Sequence, residues 1–116
     1  MIQENYELLI NKLIEGTNLK KVVWNKTSNP KEYQTVIGSG IITVSCNSSK
    51  PDLLVRYKSG DVCLTIWNDN GDIIDQLKYS ITDPGFAQLK NLYDCARRAY
   101  LKIDDTISDI LRHLDF

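Results

Sequence analysis

The side chains that most often carry out chemistry are few in this sequence, and they do not form a recognisable set. His113 is the single histidine, and the three cysteines are Cys46, Cys63 and Cys95. A catalytic histidine needs a nucleophile and an orienting carboxylate within reach, but each cysteine lies in an apolar segment that predicts burial. Their odd number and wide spacing do not fit a disulfide framework. We expect a surface histidine and reduced core thiols, and we assign no catalytic residue.

The acidic turn at residues 68–72 resembles a calcium-binding loop, with the sequence Asn-Asp-Asn-Gly-Asp. Calcium takes about six to eight oxygen ligands, and such a loop ends in a bidentate glutamate. Aligning Gly71 with the glycine of a calcium loop places Ile66 at the first ligand position and Leu77 at the last. Neither side chain carries an oxygen, so we interpret this stretch as the turn of a β-hairpin.

Two other patterns have simpler structural explanations. Asp104, Asp105 and Asp109 lie at the start of a predicted helix, where the helix dipole stabilises carboxylates. The Gly-Ser-Gly sequence at 38–40 joins two predicted strands, whereas a phosphate-binding loop requires a helix after its glycines. We therefore expect no metal ion, no nucleotide and no cofactor.

Length and composition place the chain among small globular domains. Its 116 residues, with 42% apolar and 25% charged side chains, predict one folded domain over residues 1–116. The net charge of −1 gives none of the basic excess that nucleic-acid binding uses. No apolar run approaches the ~20 residues of a membrane span, and residues 1–5 do not resemble a signal peptide. We expect a cytoplasmic protein that binds neither nucleic acid nor membrane.

Hydrophobic periodicity predicts helices at both ends of the chain and strands between them. Apolar residues at helical spacing predict an N-terminal helix over residues 2–15 and a last helix from about 105 to 114, capped by Asp104. Another helix begins at Asp83, the expected N-cap, with Pro84 at N1, and ends near Tyr100. Strand-like alternation covers residues 20–26, 33–37, 41–46, 53–58, 62–67 and 73–79.

The connections between these strands are too short for the crossovers that parallel pairing needs. The sequence therefore predicts an α+β fold: an N-terminal helix, a five- to six-stranded antiparallel meander sheet, and two C-terminal helices packed on the sheet.

One face of the predicted sheet is more apolar than a solvated face should be. If Val62, Leu64 and Ile66 point toward the helices, then the alternate residues of that strand point away. These are Cys63, Thr65 and Trp67, and Ile74 and Leu54 join them there. Either the first helix packs on this second face, or the face is a self- or partner-interface anchored by its aromatic residue.

The predicted helix near residue 90 has a basic side made by Lys90, Arg97 and Arg98, with Lys102 beyond it. Asp94 partly neutralises this side, and Asp94 with Arg98 has the spacing of a helical ion pair. The side is either a solvated surface or a contact for an acidic partner, in which case Arg97 and Arg98 would bind that partner.

The C-terminal half resembles a group of small bacterial proteins of unknown function. The resemblance is carried by the pattern Phe86-x-x-Leu89-x-x-Leu92-Tyr93-x-x-Ala96-Arg97-Arg98, by the following helix over 107–114, and by the preceding strand, glycine turn and return strand. It implies a bacterial, phage or mobile-element origin, and it brings no activity or site residue with it.

These observations favour a non-enzymatic interaction or regulatory protein, for instance an immunity or antagonist protein, that binds an unidentified protein partner. The alternative is a small-ligand-binding protein or minor enzyme with a cleft between sheet and helices. The residues expected to line such a cleft are Tyr33, Tyr57, Tyr79, Arg56 and Arg97.

Overall fold

The structure, a computed structural model, describes residues 4–48 and 60–115. Its elements are α1 (Glu4–Asn18), β1 (Asn25–Lys26), β2 (Glu32–Ile37), β3 (Gly40–Ser48), β4 (Gly60–Asn68), β5 (Ile73–Ser80), α2 (Phe86–Leu101) and α3 (Ile103–His113). The described strands form one sheet in the order β1-β2-β3-β4-β5, and every neighbouring pair is antiparallel. The predicted α+β fold and its meander are confirmed; the strand predicted over residues 53–58 lies outside the described residues.

The β4–β5 connection is the hairpin turn predicted from residues 68–72. The Asn68 side-chain oxygen accepts hydrogen bonds from the backbone N–H groups of Asn70 and Asp72, at 3.0 and 2.9 Å. Gly71 has a φ of 87°, a conformation that glycine adopts without the strain of a Cβ. The carboxamide of Asn68 thus organises the loop from within.

α1 extends beyond the predicted boundary, so Gly16 lies inside the helix and in close contact with Val22. A Cβ at Gly16 would lie 2.5 Å from Val22 Cγ2, so only glycine lets the following segment fold back onto the helix. Lys20, with a φ of 62°, makes the left-handed turn there. The Gly16 carbonyl accepts from the backbone N–H groups of Lys21 and Val22, and the strand predicted over residues 20–26 is reduced to β1.

The start of α2 also differs from the prediction. Asp83 does not cap the helix; its carboxylate accepts hydrogen bonds from the backbone N–H and hydroxyl of Ser80, at 2.7 and 3.2 Å. Gly85 occupies the N-cap position without a side-chain cap. The Asp83 carboxylate therefore closes the turn that follows β5, and the helix begins three residues later than its expected N-cap, at Phe86.

α1 and α2 pack together against one face of the sheet. The core combines Ile10 and Leu13 of α1, Leu89 and Leu92 of α2, and alternate residues of the strands. From the strands it includes Tyr33, Ile42, Val44, Cys46, Val62, Leu64 and Tyr79. Since α1 belongs to this layer, it does not cover the second sheet face, which was one of the two arrangements expected from the sequence.

α3 does not pack on the sheet, although both C-terminal helices were expected to do so. Lys102, with a φ of 53°, ends α2 and begins α3, so the chain changes direction between the two helices. α3 then packs against α2, and none of its residues is buried. Asp104, expected as its cap, lies in its first turn.

Candidate functional site: an apolar row on the open sheet face

Four apolar side chains form a row straight across four strands on the face opposite α1 and α2. Val36 pairs with Ile41, Ile41 pairs with Trp67, and Trp67 pairs with Ile73. Cross-strand partners share a face and lie about 5 Å apart, so the row is about 14 Å wide. We call this set, with the adjoining Ile74, the apolar row.

A bulge adds Ile74 to the row. Ile66 pairs with Asp75 and Trp67 with Ile73, so Ile74 has no cross-strand partner of its own. An extra residue of this kind bends a strand and redirects its side chains. Ile73 therefore lies opposite Trp67, Ile74 follows it in the bulge as an exposed side chain, and Asp75 turns to the helix side.

The apolar row is exposed at its two ends and anchored in the middle. Val36 is 68% exposed and Ile74 is 63% exposed, whereas Trp67 is half-buried. The Trp67 indole N–H donates a hydrogen bond to the Thr43 hydroxyl at 3.1 Å. Thr43 lies in the neighbouring row of the sheet, so this bond directs the indole along the sheet surface.

A polar row borders the apolar one on the same face. Gln34 pairs with Thr43, Thr43 with Thr65, and Thr65 with Gln76. The Gln76 amide donates to the Thr65 hydroxyl at 3.1 Å. Both threonines are buried on this face and their hydroxyls accept hydrogen bonds from Trp67 and Gln76, so the apolar row has a hydrogen-bonded polar border.

The structure brings together only part of the predicted partner-binding set. Trp67 belongs to the apolar row and Ile74 adjoins the row at the bulge, whereas Leu54 lies outside the described residues. Arg97 and Arg98 belong to α2, in the layer behind the opposite sheet face. They cannot form one surface with Trp67, so the predicted set is at least two separate surfaces.

The charge pairing on α2 also differs from the expected one. Asp94 pairs with Lys90 at 2.6 Å, and Arg98 pairs with Asp104 of α3 at 2.6 Å. Arg98 therefore links the two C-terminal helices, and Arg97 is exposed.

Sequence reasoning missed Val36, Ile41 and Ile73, which complete the apolar row. Each was assigned to a strand, but their alignment depends on register between strands. The short connection between β2 and β3 could have predicted part of this alignment. A two-residue turn at Gly38 and Ser39 pairs Ile37 with Gly40, and this register also pairs Val36 with Ile41.

The titratable side chains considered for catalysis lie apart from the apolar row or in unreactive settings. The His113 side chain is 76% exposed, and its Nδ1 lies 2.9 Å from the Asp109 carbonyl oxygen of its own helix. Burial raises the pKa of the Cys63 and Cys95 thiols. A raised thiol pKa lowers the fraction of the nucleophilic thiolate at neutral pH.

Two of the residues expected to line a cleft between sheet and helices belong to the core instead. Tyr33 and Tyr79 are buried, and the Tyr33 ring lies 5.7 Å from the Tyr93 ring and 5.5 Å from the Tyr100 ring. Arg56 and Tyr57 lie outside the described residues. Tyr33 and Tyr79 therefore serve the core and do not line an open cleft.

A cavity of about 540 Å³ lies elsewhere, between the end of α1, the segment before β1 and the junction of α2 with α3. Its apolar lining includes Val22 and Ala99. Two ion pairs lie at its rim: Lys20 with Asp105 at 3.6 Å, and Arg98 with Asp104.

Within residues 4–48 and 60–115, no three histidine, cysteine or acidic side chains gather closely enough to hold a metal ion. In the same residues, no helix has both the length and the apolar character required to span a lipid bilayer. Comparison of the chain with protein-family models, curated proteins and solved structures found no significant match. The resemblance to small bacterial proteins stays a prediction.

Proposed function

We propose that this chain is a non-enzymatic protein-interaction module that binds a partner protein through the apolar row. The supporting observation is the alignment of Val36, Ile41, Trp67 and Ile73 across four strands, on a face that α1 and α2 leave uncovered. Sheet faces exposed to water normally alternate to polar residues. Large apolar side chains that break this rule in one continuous row are typical of interaction surfaces.

The chemistry of the row defines the partner surface that fits it. Trp67 is the expected anchor, because tryptophan is enriched among residues that dominate binding energy. The Thr-Gln row beside it offers hydrogen-bonding groups at the border, as protein interfaces usually do. The matching surface is an apolar patch of a folded protein, about 14 Å wide, with polar groups along one side.

Immunity and antagonist proteins of bacteria or mobile elements are the class of binding module that we favour, since such proteins act by binding and need no catalytic residues. We also propose a cytoplasmic location. Cys46, Cys63 and Cys95 are all free thiols, which suits a reducing compartment.

The test is affinity capture from cells of the organism that carries this sequence, with proteins and small molecules both identified by mass. Wild-type protein is compared with Val36→Asp and Ile74→Asp, which place a charge at either end of the row. Leu8→Asp is the matched control, because Leu8 is also an exposed aliphatic residue, 60% exposed on α1. We expect one protein to be retained by the wild type and by Leu8→Asp, and to be lost with either row variant.

Circular dichroism and thermal unfolding of each variant establish that it is folded before capture. A protein retained equally by Val36→Asp, Ile74→Asp and the wild type would show that the row is not the binding surface. Retention of a metabolite with no protein would favour the second candidate function.

That second candidate is small-ligand binding in the 540 Å³ cavity. Its volume lies in the range of roughly 300–1,000 Å³ that ligand sites occupy, and its lining combines apolar and charged groups as those sites do. Ala99→Phe would fill the cavity from α2. Native mass spectrometry of the protein from its source cells would then show a bound small molecule on the wild type and none on this variant.

A further inference from the structure

α3 is the most amphipathic of the three described helices and the only one of them without a buried residue. Its apolar side chains Ile107, Ile110, Leu111 and Leu114 are 47%, 51%, 62% and 56% exposed. This helix therefore leaves a continuous apolar face in water, where each such side chain forgoes the gain from burial.

Two solvent-exposed ion pairs link polar residues of α3 to the rest of the chain. Lys20 Nζ lies 3.6 Å from Asp105 Oδ1, and Arg98 pairs with Asp104. Successive residues are rotated by about 100° around the axis of a helix. Asp105 therefore lies on the side of α3 almost opposite the side formed by Ile107, Ile110 and Leu114. The apolar face therefore points away from the side of α3 that contacts Lys20.

The spacing of the apolar residues is that of a helix-pairing seam. Ile103, Ile107, Ile110 and Leu114 follow one another at intervals of four, three and four residues, which is the alternation of the a and d positions of a coiled coil. The 11-residue helix gives a seam about 16 Å long.

From this geometry we infer that α3 pairs with α3 of a second copy of the chain, antiparallel about a two-fold axis, to form a homodimer. A second copy supplies a seam of the same length and spacing. With the axis between residues 108 and 109, Ile107 faces Ile110 of the partner subunit, and Ile103 faces Leu114 of the partner subunit.

The order of the charges along α3 favours an antiparallel over a parallel arrangement of two copies. Asp104 and Asp105 lie in the first turn, whereas the last turn carries Arg112, which also pairs with Asp109 of its own helix at 2.6 Å. An antiparallel pair brings the two aspartates of each helix to the end of the other that carries Arg112, and the helix dipoles oppose one another as well. A parallel pair would bring like charges together at both ends.

The size of the seam sets the expected strength of the dimer. A helix of three turns buries less surface than the ~800 Å² per partner of a standard interface. We expect a reversible dimer with a Kd on the order of 10–100 μM, so the oligomeric state should depend on concentration across the micromolar range.

Sedimentation equilibrium over about 5–500 μM tests the dimer. We expect the wild type and Leu8→Asp to change from monomer to dimer, and Ile107→Asp and Ile110→Asp to stay monomeric over the same range. Both α3 variants should keep the wild-type circular dichroism at concentrations where the wild type is monomeric, because the side chains they replace are exposed.

Three outcomes of this experiment would overturn the inference. The first is a wild type that stays monomeric at 500 μM, above the expected Kd. The second is a dimer that persists in Ile107→Asp and Ile110→Asp, which would place the interface elsewhere. The third is loss of folding in both variants at low concentration, which would show that α3 belongs to the core of the monomer.

Spin labels test the orientation of the pair. Labels are attached at Ser108→Cys or at His113→Cys in a Cys95→Ala background, since Cys46 and Cys63 are buried. In an antiparallel pair the axial separation at residue 113 exceeds that at residue 108 by roughly 12 Å, from the 1.5 Å rise per residue. Equal distances at the two positions would indicate a parallel pair and contradict the inferred arrangement.

This dimer and the partner-binding role of the apolar row use different surfaces, so each can fail alone. Val36→Asp should abolish partner capture and leave the dimer intact. Ile110→Asp should abolish the dimer and leave the exposed apolar row unchanged.

Discussion

The Trp67 indole nitrogen lies 3.1 Å from the Thr43 hydroxyl oxygen, and this bond directs the largest side chain of the open sheet face toward the next strand. The same pairing of residue types occurs on the other side of the sheet. There the Trp24 indole donates to the Thr17 hydroxyl at 2.9 Å, and that hydroxyl donates to the Leu13 carbonyl at 2.6 Å. One pair is buried in the core and the other borders the proposed interface.

We predict that Thr17→Val destabilises the protein more than Thr43→Val. Valine has the shape of threonine but accepts no hydrogen bond, and Trp24 is buried, so its N–H would be left without a partner at a cost of about 1–3 kcal/mol. Trp67 is half-buried and water can replace Thr43, so we expect about 0.5–1 kcal/mol there. Urea unfolding measures both values, and equal costs would contradict the partial exposure of Trp67.

We predict that the two faces of the sheet respond very differently to truncation. Leu64 is fully buried, and Leu64→Ala should lower the free energy of unfolding by about 2–5 kcal/mol through loss of burial and formation of a cavity. Val36→Ala, on the open face, should cost less than about 1 kcal/mol, which is the range of strand propensity. Urea unfolding of both variants is the measurement, and a large cost at Val36 would mean that the second face is covered.

We predict that Gly16→Ala destabilises the protein, although alanine is the better helix former by about 1 kcal/mol. The added methyl group would lie 2.5 Å from Val22 Cγ2, and such overpacking costs about 1–3 kcal/mol. In a Val22→Ala background the clash disappears, so Gly16→Ala should then stabilise α1. A double-mutant cycle by thermal unfolding measures this change of sign, and additive effects would contradict the close contact.

We predict a loss of stability at alkaline pH that depends on Tyr93. Burial raises the pKa of Tyr93 to about 12, so the folded state favours the neutral phenol. This contribution to the free energy of unfolding is fully present below pH 10, which is the ordinary pKa of tyrosine. It is lost as the pH rises toward 12. The loss is on the order of 2–3 kcal/mol.

Urea unfolding between pH 8 and pH 12 measures this effect, and Tyr93→Phe should give a flatter pH dependence than the wild type. Tyr6 contributes in the same direction, because burial and its hydrogen bond to Asp75 raise its pKa to about 12. Tyr6→Phe and Tyr93→Phe together should therefore remove more of the alkaline slope than either alone. An unchanged slope in the double variant would contradict the prediction.

The sequence by itself determined the types of the elements and the sides on which most of their residues lie. Alternation of apolar and polar residues is a local property, so the sequence placed Trp67 on the face opposite Val62, Leu64 and Ile66. The structure shows that the helices cover the face of Val62 and Leu64. The Asn68 turn was predictable for the same reason, since the residues that stabilise it lie within five positions of one another.

Register across several strands was decided by the tertiary structure. The apolar row needs Val36, Ile41, Trp67 and Ile73 in line, and this depends on two hairpin turns together with the bulge at Ile74. Gly16 is a similar case: the requirement for glycine at this helical position comes from Val22, which returns to the helix after a left-handed turn at Lys20.

The tertiary structure alone also decided the place of α3. Its apolar periodicity is that of a helix that packs on a core, and the sequence predicted that it does so. α1 and α2 already cover the helix side of the sheet, however, and Lys102 turns the chain away from it. A helical pattern reports that an apolar face exists, but which surface meets that face depends on the space that the other elements leave.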